Sequence, residues 1–300
     1  VPSLLRDFSA PVRIDYSYTP GDLQALASRD DDGFVRWDAM QQLMVAAIKD
    51  LQSDTAPPTL DPLLREAVAA VVEQPDDPAV AADMLRLPSE SYLAELAGHA
   101  GGIDPVAIHT ARETLREQLA VELADAWRAL FEAQRVREPY AATAQQIGRR
   151  GLSMVALDYW ATAQKSGQTA AAMLYREADN LTERLVTLRI MLRKSEDAVY
   201  TAALADFLER FATETLALNH WLQVQAESPR GDALARIRGL MEHPVYDRAN
   251  PNKIRAVVGT FANVNVLAFH REDGAGYALL GEVVEELNER NPQVAARLLT

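Results

Sequence analysis

From about residue 31 onward this chain keeps one periodicity, apolar side chains three and four apart, punctuated by five Asx-Pro pairs: Asp61-Pro62, Asp77-Pro78, Asp104-Pro105, Asn250-Pro251 and Asn291-Pro292. An Asp or Asn side chain accepts a hydrogen bond from a free N–H of the first helical turn, and proline fits the first helical position, where no donor is needed. Each pair therefore predicts a helix start. The stripe Phe34, Trp37, Met40, Met44, Ala47, Ile48, Leu51 predicts a helix over 31–53, ended by Thr55-Ala56-Pro57-Pro58. Further helices are expected over 61–74, 78–87 and 89–98. One of roughly 30 residues, about 45 Å long, begins at Asp104, with Ile108, Ala111, Leu115, Leu119, Leu123, Trp127 and Leu130 as its face. The pattern continues over 141–163, 169–178, 180–194, 195–227, 232–243, 250–263, 266–272, 276–288 and from Pro292 onward.

Helices joined by such short links can bury their stripes only on their neighbours. The expected fold is all-α, a superhelical stack of antiparallel helix pairs, that is, an ARM/HEAT-like α-solenoid without a strict sequence period. The start of the chain differs. Pro11-Val12-Arg13-Ile14-Asp15-Tyr16 alternates like a single strand with no partner strand elsewhere. Residues 1–18 are therefore expected to be a linker or strand remnant of a preceding β domain, and 19–300 a helical domain. A first residue Val1 instead of methionine, and a last helix that stops after about two turns, read as excision; a bare apolar stripe is expected near Leu298-Leu299.

With 30 Lys and Arg against 43 Asp and Glu the net charge is −13, and no basic run exceeds Arg149-Arg150, so a nucleic-acid partner is not expected. No apolar run nears the ~20 residues of a membrane span. The absence of cysteine excludes disulfides and thiolate metal sites and fits a reducing, cytoplasmic setting.

Metal and nucleophile chemistry finds no local support. His99, His109, His220, His243 and His270 are never followed by Glu and never three or four apart, so no helical metal pair exists. Gly274-Ala275-Gly276 lacks a third glycine at the dinucleotide spacing, where Leu279 stands, and reads as a helix junction. Glu285 and Glu286 point to different helix faces and read as solvated charge. His109 and His220 read as satisfied or exposed, and Trp160 and Trp221 as buried.

Three runs carry a resemblance: residues 1–12 (Val-Pro-Ser-Leu-Leu-Arg-Asp-Phe-Ser-Ala-Pro-Val), Asn250-Pro251-Asn252-Lys253-Ile254-Arg255, and Asn291-Pro292-Gln293-Val294-Ala295-Ala296-Arg297. Together they closely resemble the C-terminal domain of the bacterial aminopeptidase N family, the zinc-dependent M1 peptidases. The family's His-Glu-x-x-His zinc motif and its Gly-x-Met-Glu-Asn stretch are both missing here. The resemblance thus implies a chain with no catalytic residue and no metal of its own, whose zinc is bound by absent upstream domains of the same polypeptide. It also implies that Gln293 lines the pocket for the substrate's first side chain, that Arg297 lies on the leaving-peptide side, and that Arg255 belongs to the same chamber wall. From the residues alone, an arginine near a helix start in an acidic chain reads as a salt-bridge partner or an exposed charge. Gln293 and Arg297, four apart, share one helix face. The resemblance further assigns structural roles to Phe34 and Trp37 as core, Arg36 as a bridge, and Asn180-Leu181-Thr182-Glu183 as a cap.

The function expected is a non-catalytic cap over the active site of an aminopeptidase that releases N-terminal amino acids from peptides. The alternatives are an autonomous helical-repeat protein-binding module and, third, a self-sufficient hydrolase.

Overall fold

A computed structural model describes residues 1–12, 14–53, 59–98 and 102–299. The break at Thr55-Ala56-Pro57-Pro58, Arg13 of the expected strand, His99 and Thr300 lie outside them. Among the described residues every regular element is helical and there is no strand; residues 9–12 and 14–19 form none. Each Asx-Pro pair does open a helix. Asp61 accepts from the Leu64 N–H at 2.8 Å, Asp77 from Ala79 at 2.7 Å, Asp104 from Val106 and Ala107 at 3.0 Å, Asn250 from Asn252 at 2.9 Å and Asn291 from Val294 at 3.3 Å.

The chain forms two compact units, Val1–Met173 and Leu174–Thr300. The first holds α1 (Pro20–Arg29), α2 (Gly33–Leu51), α3 (Pro62–Glu73), α4 (Pro78–Leu85), α5 (Glu90–Gly98), α6 (Pro105–Glu122), α7 (Ala124–Gln134), α8 (Ala144–Ala163) and most of α9 (Lys165–Glu177). Consecutive helices fold back on one another: α1 packs on α2 and α3, α2 on α4 and α6, and α8 on α4, α6 and α7. Met40, Met44, Ile48, Leu64, Val68, Leu115, Leu119, Trp127 and Leu157 are sealed inside.

Four expectations need correction here. The single helix from Asp104 is broken at Leu123 (φ −117°, ψ 25°). The Leu119 carbonyl accepts both the Leu123 N–H at 3.3 Å and the Trp127 indole N–H at 2.9 Å, and the bend lets Trp127 stack on Tyr159 with centroids 4.3 Å apart. Helix α1 went unforeseen, although Thr19 and Asp22 form a reciprocal capping box. Helix α9 begins at Lys165, just past α8, because Gly167 fits where a Cβ would lie 2.5 Å from the Ala161 nitrogen. Trp37 is not core but 37% exposed, and Phe34 is half-buried, with Phe8 of the N-terminal segment lying against it in a tilted ring contact at 5.1 Å. Arg36 does bridge, to Asp76 at 2.8 Å.

The second unit holds α10 (Leu181–Lys194), α11 (Asp197–Arg210), α12 (Thr215–Ala226), α13 (Ala233–Glu242), α14 (Pro251–Ile254), a π-turn (Arg255–Gly259), α15 (Thr260–Val264), α16 (Val266–Phe269), α17 (Ala275–Arg290) and α18 (Pro292–Leu298). The helix expected over 195–227 is interrupted between α11 and α12, where Phe211 (φ −113°, ψ 24°) leaves helical geometry. Asn180 caps α10 as expected, accepting from the Glu183 N–H at 3.0 Å.

The last carbonyls of a helix have no partner within it, and in this unit arginines supply one. Arg184 donates to the Tyr175 carbonyl at 2.9 Å and to that of Ala178, closing α9. Arg230 gathers the carbonyls of Met191, Leu192 and Ser195 at the end of α10. Arg236 takes those of Gln225 at 3.0 Å and Ser228 at 2.5 Å after α12, and the Asn265 amide donates to Ala226 at 3.0 Å and, beside Arg236, to Ser228 at 2.9 Å. Gly274 and Gly276 form the junction read from the sequence: Gly274 is left-handed (φ 70°), and Gly276 lies directly against the Phe269 backbone.

Candidate functional site

The three residues singled out by sequence lie on α18 and the π-turn of the second unit. Between α14 and α15 the helix takes in one extra residue, so that the Thr260 N–H reaches the Arg255 carbonyl, five residues back. The turn is enclosed almost all round: Lys253, Ile254, Ala256, Val257 and Val258 are buried, and Arg255 alone between them is exposed. Its guanidinium folds over the helix start, with Nε donating to the Pro251 carbonyl at 3.2 Å and Nη2 to Asn252 Oδ1 at 3.0 Å. Among the described residues it has no carboxylate at ion-pair distance, in a chain of net charge −13. A cation at a helix N-terminus also opposes the helix dipole. Arg255 is therefore not a salt-bridge partner, and of the two readings from the residues alone it is the exposed charge that the structure shows.

Helix α18 is tied to this turn. An added Cβ on Gly259 would lie 3.7 Å from Arg255 Cβ and 3.9 Å from Leu298 Cδ2, so Leu298, next to Arg297, covers the glycine beside the stem of Arg255. Ala295 faces inward, Gln293 and Arg297 are exposed, and Leu299 is 66% exposed. The fold thus brings Arg255 and the C-terminal half of α18 to one place, and Gln293 follows on the exposed side of the same helix.

Sequence reasoning passed over two neighbours in the Asn-Pro-Asn-Lys-Ile-Arg motif. Asn252 holds Arg255, and Lys253 is 5% exposed with its ammonium lacking any acceptor among the described residues. Burial holds the Lys253 ammonium below the usual lysine range, against a weaker pull upward from Asp247. Its proton is therefore held more tightly in the unfolded chain. The penalty is complete below the folded-state pKa and fades as pH rises toward the unfolded value of about 10.4. Lys253→Met is expected to raise the free energy of unfolding by about 1–3 kcal/mol at neutral pH, a gain that shrinks as alkali is approached; urea titrations at pH 7 and pH 10 check both the sign and the trend.

The described histidines are engaged elsewhere: His109 Nδ1 with Glu90 at 2.8 Å, His220 with Gln223 at 2.8 Å, His243 with the Val245 N–H at 3.1 Å and His270 with the Tyr277 hydroxyl at 2.6 Å. No group of three or more His, Asp or Glu side chains among the described residues is placed to hold a metal ion. None of the described helices is long and apolar enough to cross a membrane. In the first unit, Phe34, Trp37, Val80, Arg86 and Pro88 line an open groove of about 510 Å³.

A family model described as a domain of unknown function with ARM repeats, DUF3458_C, matches residues 20–300. The chain belongs to this family. Its curated relatives include Aminopeptidase N of Escherichia coli K12, 36% identical over 304 residues, covering 100% of this chain and 34% of the relative. Aminopeptidase N of Haemophilus influenzae is 35% identical with the same coverage, and that of Caulobacter vibrioides 36% identical over 99% of this chain. Among solved structures, Legionella pneumophila aminopeptidase A in complex with aspartic acid matches with a TM-score of 0.85 and 27% identity, over 99% of this chain and 35% of that one. The chain thus spans about a third of the length of these relatives, and the part it matches is C-terminal. The family's ARM-repeat description agrees with the all-helical fold expected from the Asx-Pro punctuation.

Proposed function

We propose that this chain is the non-catalytic C-terminal domain of an M1-family zinc aminopeptidase, capping an active site built by other parts of the same polypeptide and restricting which peptides reach it. The observation that carries this reading is Arg255, turned outward from a buried π-turn, without a carboxylate at ion-pair distance among the described residues, next to the helix that bears Gln293 and Arg297. Zinc does not fit the described residues of this chain, whose histidines are spoken for and whose carboxylates form no cluster with them. A cap works through exclusion: with water removed, charged and dipolar groups interact more strongly with the substrate, and a narrow approach admits flexible peptide ends. Arginine suits the wall because its fork stays charged and can hold a peptide carbonyl or carboxylate. The parent would release N-terminal amino acids from peptides in the cytoplasm.

Gln293→Ala and Arg297→Ala in the full-length enzyme are expected to raise KM for peptides about five- to tenfold, the loss of one hydrogen bond each, with zinc content unchanged. Steady-state kinetics beside metal analysis checks this, and peptide kinetics untouched in both variants would reject the cap. That outcome would favour the second reading, an autonomous binding module, for which the exposed Trp37 in its groove is the supporting observation.

A further inference from the structure

The side chain of Arg255 is held at two points while one edge of its fork is left open. With Nε on the Pro251 carbonyl and Nη2 on Asn252 Oδ1, the plane of the guanidinium is set, and Nη1 has no acceptor among the described residues. The base beneath it is fixed as well. The Asn252 N–H is capped by Asn250 Oδ1 at 2.9 Å, the Thr260 hydroxyl returns to the Arg255 carbonyl at 3.4 Å, and the Asn263 amide closes the Gly259 carbonyl at 2.8 Å. An exposed arginine otherwise samples many rotamers and loses that freedom on gripping a ligand.

We propose that Asn252 is a positioning residue: it locks Arg255 so that the free Nη1 edge is presented, already oriented, to a carbonyl or the terminal carboxylate of a bound peptide. This rests on the chamber reading above. Asn252 itself touches no substrate; its oxygen acts through the arginine. Orientation set before binding lowers the entropy lost on binding, so its removal appears in KM for substrates that reach Arg255 and not in the chemical step.

The test compares Asn252→Ala, Asn252→Asp, Arg255→Ala and the double alanine variant of the full-length enzyme, with a tripeptide and with an aminoacyl-arylamide that has no peptide beyond the scissile bond. Asn252→Ala is expected to raise the tripeptide KM about fivefold, with kcat, arylamide kinetics and the urea midpoint unchanged. Asn252→Asp, which keeps an acceptor oxygen, should stay near the parent, and the double variant should be no worse than Arg255→Ala alone. A raised KM in Arg255→Ala with none in Asn252→Ala, or additive losses in the double variant, overturns the positioning role while leaving the chamber intact. No effect of Arg255→Ala removes that arginine from the chamber wall, and the positioning role with it.

Discussion

Trp127→Ala is expected to lower the stability of the first unit by about 3–5 kcal/mol, the range for removing a buried indole. Trp127 is fully buried, stacks on Tyr159 at an interplanar angle of 11°, and donates its N–H to the Leu119 carbonyl. The substitution therefore removes three things at once: packed volume between α7 and α8, a ring contact, and the donor that braces the bend at Leu123. Trp127→Phe, which keeps a ring but no donor, should cost roughly 1–2 kcal/mol. Urea unfolding followed by far-UV circular dichroism measures both. A loss under 1 kcal/mol for the alanine variant would mean that the bend is not braced by this side chain.

The second large effect is expected at Gly276. A methyl group there would sit 2.7 Å from Phe269 Cα and nearer still to its carbonyl oxygen, both backbone atoms that cannot swing aside. Gly276→Ala must push α17 away from α16, and about 3 kcal/mol of stability should be lost with it, at the upper end for overpacking. Gly281→Ala is the internal control. It lies on the same helix with nothing within 4 Å of the added carbon, and should be neutral or gain up to about 1 kcal/mol from helix propensity. Equal midpoints for the two variants would show that the junction relaxes freely, contrary to the packing described.

These two positions mark what was legible in the sequence and what was not. Helix starts were readable because capping is local chemistry: a side-chain oxygen on the residue just before a proline, repeated five times, each satisfied in the structure. The bend at Leu123 was not, since Glu122, Leu123 and Ala124 all tolerate a helix, and the reason to break lies in Tyr159, 36 residues away. Helix α9 starts at Lys165, four residues ahead of the expected 169, with Gly167 serving as the contact point between two helices. At the candidate site, the Asn-Pro starts placed α14 and α18 correctly, and their i, i+4 spacing put Gln293 and Arg297 on one side. The outward aim of Arg255 could not be read, because a π-turn shifts the register by one residue and no composition announces it. Nor could Asn252 be picked out, since its partnership with Arg255 depends on how the arginine folds back.

Arg184, Arg230 and Arg236 fasten helix ends to uncharged peptide oxygens, and this has a consequence for behaviour in acid. A peptide oxygen carries no charge for acid to neutralise, whereas surface pairs such as Arg6–Asp31 and Arg238–Glu282 come undone once their carboxylates take up protons. Acidification should therefore strip the outer charge pairs first and leave the helix-to-helix joints of the second unit fastened. A lysine at position 230 would carry the same charge but, being a point donor without a planar fork, would have to let go of part of its trio of carbonyls.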